Sequence, residues 1–231
     1  LRRRLVSISM VHKLKGHYLD TKHPIIVENL MGIRRVKGSI QKGKKPILIN
    51  HLKLVINAIN EKKIEEVKKL RDKSMILIGF SGGFRRTELI SIDYEDLEFV
   101  PEGLKITIRR SKTDQFGEGM IKGLPYFTNE IYCPVINLKK WLDISKIKSG
   151  PIFRRFSKGS ILTEKRLTDQ SVVLLMKEYL NLAGIENKNF AGHSLRSGFA
   201  TVAAESGADE RSIMVMTGHK TTQMVRRYIK E

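Results

Sequence analysis

The segment IEEVKKLRDKSMILIGF, residues 64–80, has helical spacing, but its character changes along its length. Charges break up the first half, whereas the closing MILIGF, residues 75–80, is apolar all round. A helix end with no polar face has to be covered by other elements on every side. The sequence nearby offers them. LINHLKLVINAI (48–59) has helical spacing, SGG (81–83) breaks the chain, and RRTELISI (85–92) restarts a short helix. LKITIRR (104–110) and GMIKGLPYF (119–127) read as strands joined by the turn-forming SKTDQFGE (111–118). VINLKKWLDI (135–144) reads as a helix. TDQSVVLLMKEYLNLAG (168–184) reads as another, capped by Thr168 or Asp169 and ended near Gly184. SLRSGFATVAAESG, with Leu195, Phe199, Val202 and Ala203 on one face, precedes DERSIMVMTG and TTQMVRRYIK. The expected fold class is mainly α with a small antiparallel β-sheet, in a compact domain from Leu48 onward.

Upstream, residues 1–14 read as a helix with Leu5, Ile8, Val11 and Leu14 on one side, and Thr21 to Pro24 offers a second helix start. The chain opens without an initiator Met and reads as a fragment that begins inside a helix. Arg34, Arg35, Lys37, Lys42, Lys44 and Lys45 then follow with Gly38 and Gly43 and no acidic residue, closed by Pro46. This stretch is a candidate linker over 41–47 and a candidate strap along a phosphate backbone. The net charge of the 231-residue chain, +19, points the same way, because a strongly basic folded domain most often meets nucleic acid. The single cysteine, Cys133, excludes an intrachain disulfide and a cysteine-held zinc. It fits a reducing, cytoplasmic setting. No apolar run is long enough to span a membrane, so no membrane partner is expected.

Five stretches carry groups suited to phosphate chemistry. In GFRRTEL, Arg85 lies three residues before Glu88, on one helical face, where the carboxylate can orient the guanidinium. Lys112 sits in the hairpin. In GHSLRSG, His193 and Arg196 are three apart near a helix N-terminus. His219 follows Gly218 in TGHKTT, and Tyr228 comes nine residues later. Singly, each has a bland explanation as a surface pair, a salt bridge or a packed ring. In this order they resemble the tyrosine recombinases, the phage-integrase family with its Cre-type and Xer-type members. Its order is Arg, Lys, His-x-x-Arg, His or Trp, then Tyr. Arg85, Lys112, His193, Arg196, His219 and Tyr228 match it, with Glu88 selecting Arg85 over Arg86. The resemblance runs from about Leu48 to the end. It implies a catalytic domain over 48–231, preceded by the tail of a helical core-binding domain over 1–40.

The resemblance also implies a chemistry. Tyr228 attacks the scissile phosphate of double-stranded DNA and forms a 3′-phosphotyrosyl link. Arg85 and Arg196 hold the non-bridging oxygens, and His219 adds a donor. His193 acts as general base, and Lys112 protonates the departing 5′ oxygen. No metal and no nucleotide cofactor is implied. A homotetramer on paired sites is, as is an association with the nucleoid. Three other readings share part of the pattern. One is a catalytically inactive DNA-binding protein of the same fold. Another is a type IB topoisomerase, against which the short hairpin and the compact spacing from His193 to Tyr228 count. The third, an RNA-binding module, rests on charge alone.

Overall fold

The computed structural model describes all residues except 39–43, 110–118, 220, 227 and 229–231. Lys42 and Lys112 therefore lie outside the described residues. The chain divides into two compact units, Leu1–Gly43 and Lys44–Glu231.

The first unit holds α1 (Arg2–Leu14) and α2 (Pro24–Lys37). Pro24 opens α2 with its φ already suited to a helix, and His23 accepts a hydrogen bond from the Ile25 amide at 3.3 Å. Arg34, Arg35 and Lys37 fill the last turn of α2, where cations suit the negative end of the helix dipole. The basic stretch thus begins in a helix, and its last residues belong to the second unit. Lys44 Nζ donates to the Lys188 carbonyl (2.6 Å), the Lys45 amide to Asn189 (2.7 Å) and the Ile47 amide to Ser194 (2.9 Å). Ile47 is fully buried. Of the linker expected over 41–47, Lys44, Lys45 and Ile47 bond to the second unit and 41–43 lie outside the described residues.

In the second unit, α3 (Ile49–Glu61) and α4 (Glu66–Ser81) lead into the short α5 (Arg86–Ser91). A three-stranded antiparallel sheet follows, β1 (Leu97–Val100), β2 (Gly103–Ile108) and β3 (Met120–Pro125), in that order. Then come α6 (Pro134–Ser145), a two-stranded hairpin of β4 (Arg154–Phe156) and β5 (Leu162–Arg166), and α7 (Asp169–Leu182). The chain closes with α8 (Ser194–Glu205), α9 (Glu210–Thr217) and α10 (Thr222–Arg226). The unit is mainly helical with small antiparallel sheets, as expected, although the β4–β5 hairpin and β1 have no counterpart in the sequence reading.

The apolar end of α4 is enclosed. Met75 and Ile78 face a cluster with Ile106 of the sheet and Leu138 and Trp141 of α6. Ile76, Leu77 and Phe80 face a second cluster with Val55 and Ile56 of α3, Tyr179 and Leu180 of α7 and Leu195 of α8. Each such side chain contributes about 1.5–3 kcal/mol relative to exposure. This helix is therefore the axis that fixes both the sheet, which carries Lys122, and α8, which carries Arg196, two residues of the site described below.

The seat of α8 depends on one missing side chain. A Cβ on Gly198 would lie 2.0 Å from the Ile47 carbonyl oxygen. The obstacle is backbone, so it cannot swing aside. Gly198→Ala is expected to destabilise the protein by roughly 1–3 kcal/mol or more, the usual cost of overpacking. Urea unfolding checks this, and an unchanged midpoint would contradict the packing of Ile47 on α8.

Candidate active site

The turn after α4 organises the cationic groups. Gly83 has φ +54°, a left-handed conformation that glycine adopts without strain, and a Cβ there would meet Phe199 at 2.8 Å. The turn aims two carbonyls at two cations. The Gly83 oxygen accepts from Arg196 Nη1 at 2.9 Å, and the Gly82 oxygen accepts from Lys122 Nζ at 2.6 Å. Arg85 follows as the N-cap of α5. Glu88, three residues on, accepts from the Arg85 amide at 2.9 Å with one oxygen and from its Nη1 at 2.5 Å with the other. Glu88 thus supplies the returning half of a capping box, satisfying the N-cap amide, and also fixes the guanidinium, which as a donor cannot complete the other half. Arg85 Nη2 reaches the Gly218 carbonyl at 3.3 Å, which joins α5 to the end of α9. Arg86 turns elsewhere and pairs with Asp169 of α7 at 3.5 Å.

Arg196 is buried, and its Nη2 has no hydrogen-bond partner among the described residues. Burial first, and then the charge of Arg85, pull its guanidinium down to about 10. An orphaned buried donor costs on the order of 1–3 kcal/mol, more for a charged group. A site that retains one next to a second arginine is suited to an anion.

His219 and Tyr228 close the cluster. Their rings stack with centroids 5.7 Å apart and planes 28° apart. Tyr228 is half-buried and packs against the small cluster of Ala200, Ile213 and Val225. His219 is buried, and its Nδ1 lies 2.7 Å from the Thr217 hydroxyl. Burial, with the charges of Arg196, Arg85 and Lys122, lowers the imidazole to about 4, so the ring is neutral at pH 7. Tyr179, another tyrosine near a cation, has a different setting. It is fully buried, its hydroxyl donates to Asp72 at 2.7 Å, and burial beside that carboxylate raises its pKa far above the ordinary phenol value.

Lys122 is the group that sequence reasoning missed. Strand parity exposes the reason. β2 turns Leu104, Ile106 and Ile108 inward, and the register pairs Ile106 with Lys122 and Leu104 with Leu124. Counting back by two from the buried Leu124 reaches Lys122, whereas Ile121 points out. Lys122 is fully buried, with its ammonium 4.3 Å from the centroid of the Phe84 ring. Burial lowers its pKa from 10.5 to about 7; Arg196 and Arg85 add to this, and Glu88 opposes it. Between those two values the unfolded chain holds a proton that the folded chain has released. Stability therefore rises with pH across this window and is insensitive to Lys122 below it. The difference in unfolding midpoint between wild type and Lys122→Met should thus grow in favour of wild type from about pH 7 to pH 10. Parallel midpoints across that range would show that Lys122 keeps its proton in the folded protein.

Of the six residues matched to the recombinase pattern, the structure gathers Arg85, Arg196, His219 and Tyr228 around the Gly82–Gly83 turn. His193 is the N-cap of α8, exposed, one helical turn before Arg196. Lys112 lies outside the described residues. Among the described residues, the arrangement is a cluster of cationic groups with the Glu88 carboxylate, a neutral imidazole and a phenol beside it.

The phage integrase family profile matches residues 50–231. The chain is 44% identical over 232 residues to the integrase/recombinase xerD homolog of Selenomonas ruminantium, an overlap of 99% of this chain and 67% of that protein. It is 29% identical over 181 residues to the tyrosine recombinase XerD of Corynebacterium glutamicum, covering 76% of this chain and 54% of the relative. The chain thus spans between about half and two thirds of these relatives. Among solved structures, the XerH site-specific recombinase bound to a palindromic difH substrate, a post-cleavage complex, has the same fold, with a TM-score of 0.65 and 19% identity over 84% of this chain and 51% of that one. A profile covering most of the chain and a relative similar along nearly all of it establish that the chain belongs to the phage integrase family.

Proposed function

We propose that this chain carries the strand-cleaving part of a site-specific recombinase, which cuts and rejoins double-stranded DNA through a 3′-phosphotyrosyl intermediate. The observation that carries this reading is the buried, unpartnered Nη2 of Arg196 beside Arg85, with Tyr228 stacked on the histidine of the same cluster. Two guanidiniums present planar pairs of donors to the non-bridging oxygens of one phosphate, and that contact strengthens as charge builds on them in the transition state. The Tyr228 oxygen attacks phosphorus as the bond to the 5′ oxygen breaks. The phenolic proton passes to His193, and Lys112 gives a proton to the departing oxygen. The 5′ hydroxyl of a partner strand reverses the sequence. In the whole protein, four copies assemble on two paired sites and act on nucleoid DNA. Arg34, Arg35, Lys37, Lys42, Lys44 and Lys45 contact backbone phosphates outside the cleavage point, and Lys44 does so by releasing the Lys188 carbonyl.

The test is covalent capture. A pool of duplexes with a random core, nicked so that the cut strand diffuses away, is incubated with the protein, denatured and filtered for protein-bound strands. Enrichment of one core sequence linked through its 3′ phosphate is expected. A protein that shifts duplexes on native gels but never yields a denaturant-resistant adduct would be a DNA-binding member without activity.

A further inference from the structure

The Thr217 hydroxyl lies in two short contacts, 2.6 Å from the Ile213 carbonyl oxygen and 2.7 Å from His219 Nδ1. It has one hydrogen. A carbonyl oxygen brings none of its own, so two oxygens at 2.6 Å require the hydroxyl to donate to Ile213. The contact with His219 is then a hydrogen bond only if Nδ1 carries the proton and the hydroxyl accepts. Thr217 is fully buried, which excludes solvent as a substitute partner on this side of the ring.

We propose that Thr217 is a positioning residue that commits His219 to the Nδ1–H tautomer, leaving Nε2 with its lone pair. The meaning of this for catalysis rests on the function proposed above, but the tautomer does not. With the proton on Nδ1, Nε2 can accept a hydrogen bond and cannot donate one. This differs from the donor role that the family resemblance implies. The groups around the ring explain how the two roles are reconciled. Arg85 from the start of α5, Arg196 from α8 and Lys122 from β3 all disfavour a second proton, and Tyr228 covers one face. A phosphate held by the two arginines offsets their charge. A proton can then join the ring, and with Nδ1 already occupied it must join at Nε2. His219 becomes a donor to the phosphate only once the phosphate is in place. Donation is thereby tied to proton uptake.

The experiment needs no DNA, so it can fail independently of the recombinase reading. Long-range proton–nitrogen correlation spectra of the nitrogen-15-labelled protein near pH 7 report which ring nitrogen of each of the six histidines is protonated. The His219 signals are identified by their loss in His219→Gln. Wild type and Thr217→Ser are expected to show a protonated Nδ1 and a bare Nε2. Thr217→Val, which keeps the shape and removes the acceptor, is expected to shift the ring toward Nε2–H. A wild-type spectrum with the proton on Nε2 overturns the proposal whether or not the valine variant folds. So does a folded Thr217→Val protein whose His219 keeps Nδ1–H.

Discussion

Replacing Tyr228 by phenylalanine is expected to abolish covalent capture of DNA while leaving folding and duplex binding in place. The ring packs on Ala200, Ile213 and Val225 and stacks on His219, and phenylalanine preserves both contacts. Only the oxygen is lost, so stability should change by no more than about one hydrogen bond, ~1 kcal/mol. Binding should persist because it draws on a net charge of +19 spread over many lysines and arginines. Covalent capture is different, because in the proposed mechanism the Tyr228 oxygen is the attacking atom and phenylalanine has none. Tyr179 is no substitute, being buried and hydrogen-bonded to Asp72. A denaturing gel with labelled, nicked duplex reads the result. An adduct of wild-type yield from Tyr228→Phe would remove Tyr228 from the chemistry.

Arg85→Lys is expected to cut the cleavage rate roughly 10²-fold or more, the scale set by losing one preorganised transition-state donor. Charge is kept, so duplex affinity should change little. What goes is the fork. Lysine cannot hold both Glu88 and the Gly218 carbonyl and still present donors to a phosphate. Single-turnover cleavage at saturating protein separates the rate from binding. A rate near wild type would shift attention to Arg86, although its pairing with Asp169 speaks against that.

The parts of this site that were legible in the sequence are those built on local geometry. Arg85 and Glu88 share one turn of α5, and His193 and Arg196 share the first turn of α8, so residue spacing alone places each pair on one face. The enclosure of α4 was legible for a similar reason, since a run without polar residues leaves no face for water. Long-range relations were not. Lys122 enters the site through its register against Ile106, and the charged residue masks the strand's alternation. Ile47 looked like the end of a linker because nothing nearby shows that Gly198 leaves room for it. The β4–β5 hairpin carries Arg154, Arg155, Glu164, Lys165 and Arg166, too many charges for a period-two pattern to stand out. Arg34, Arg35 and Lys37 read as the start of one basic stretch, whereas the structure places them at a helix C-terminus, where cations suit the dipole.

The most direct test of the account is to locate the DNA on the protein. Wild-type adduct formed on the nicked duplex is digested with nuclease and protease, and the peptide that retains a nucleotide is sequenced by mass spectrometry. The account predicts one modified peptide, with the nucleotide joined through its 3′ phosphate to the Tyr228 oxygen. A nucleotide on Tyr179, on any other tyrosine or on a serine would contradict it.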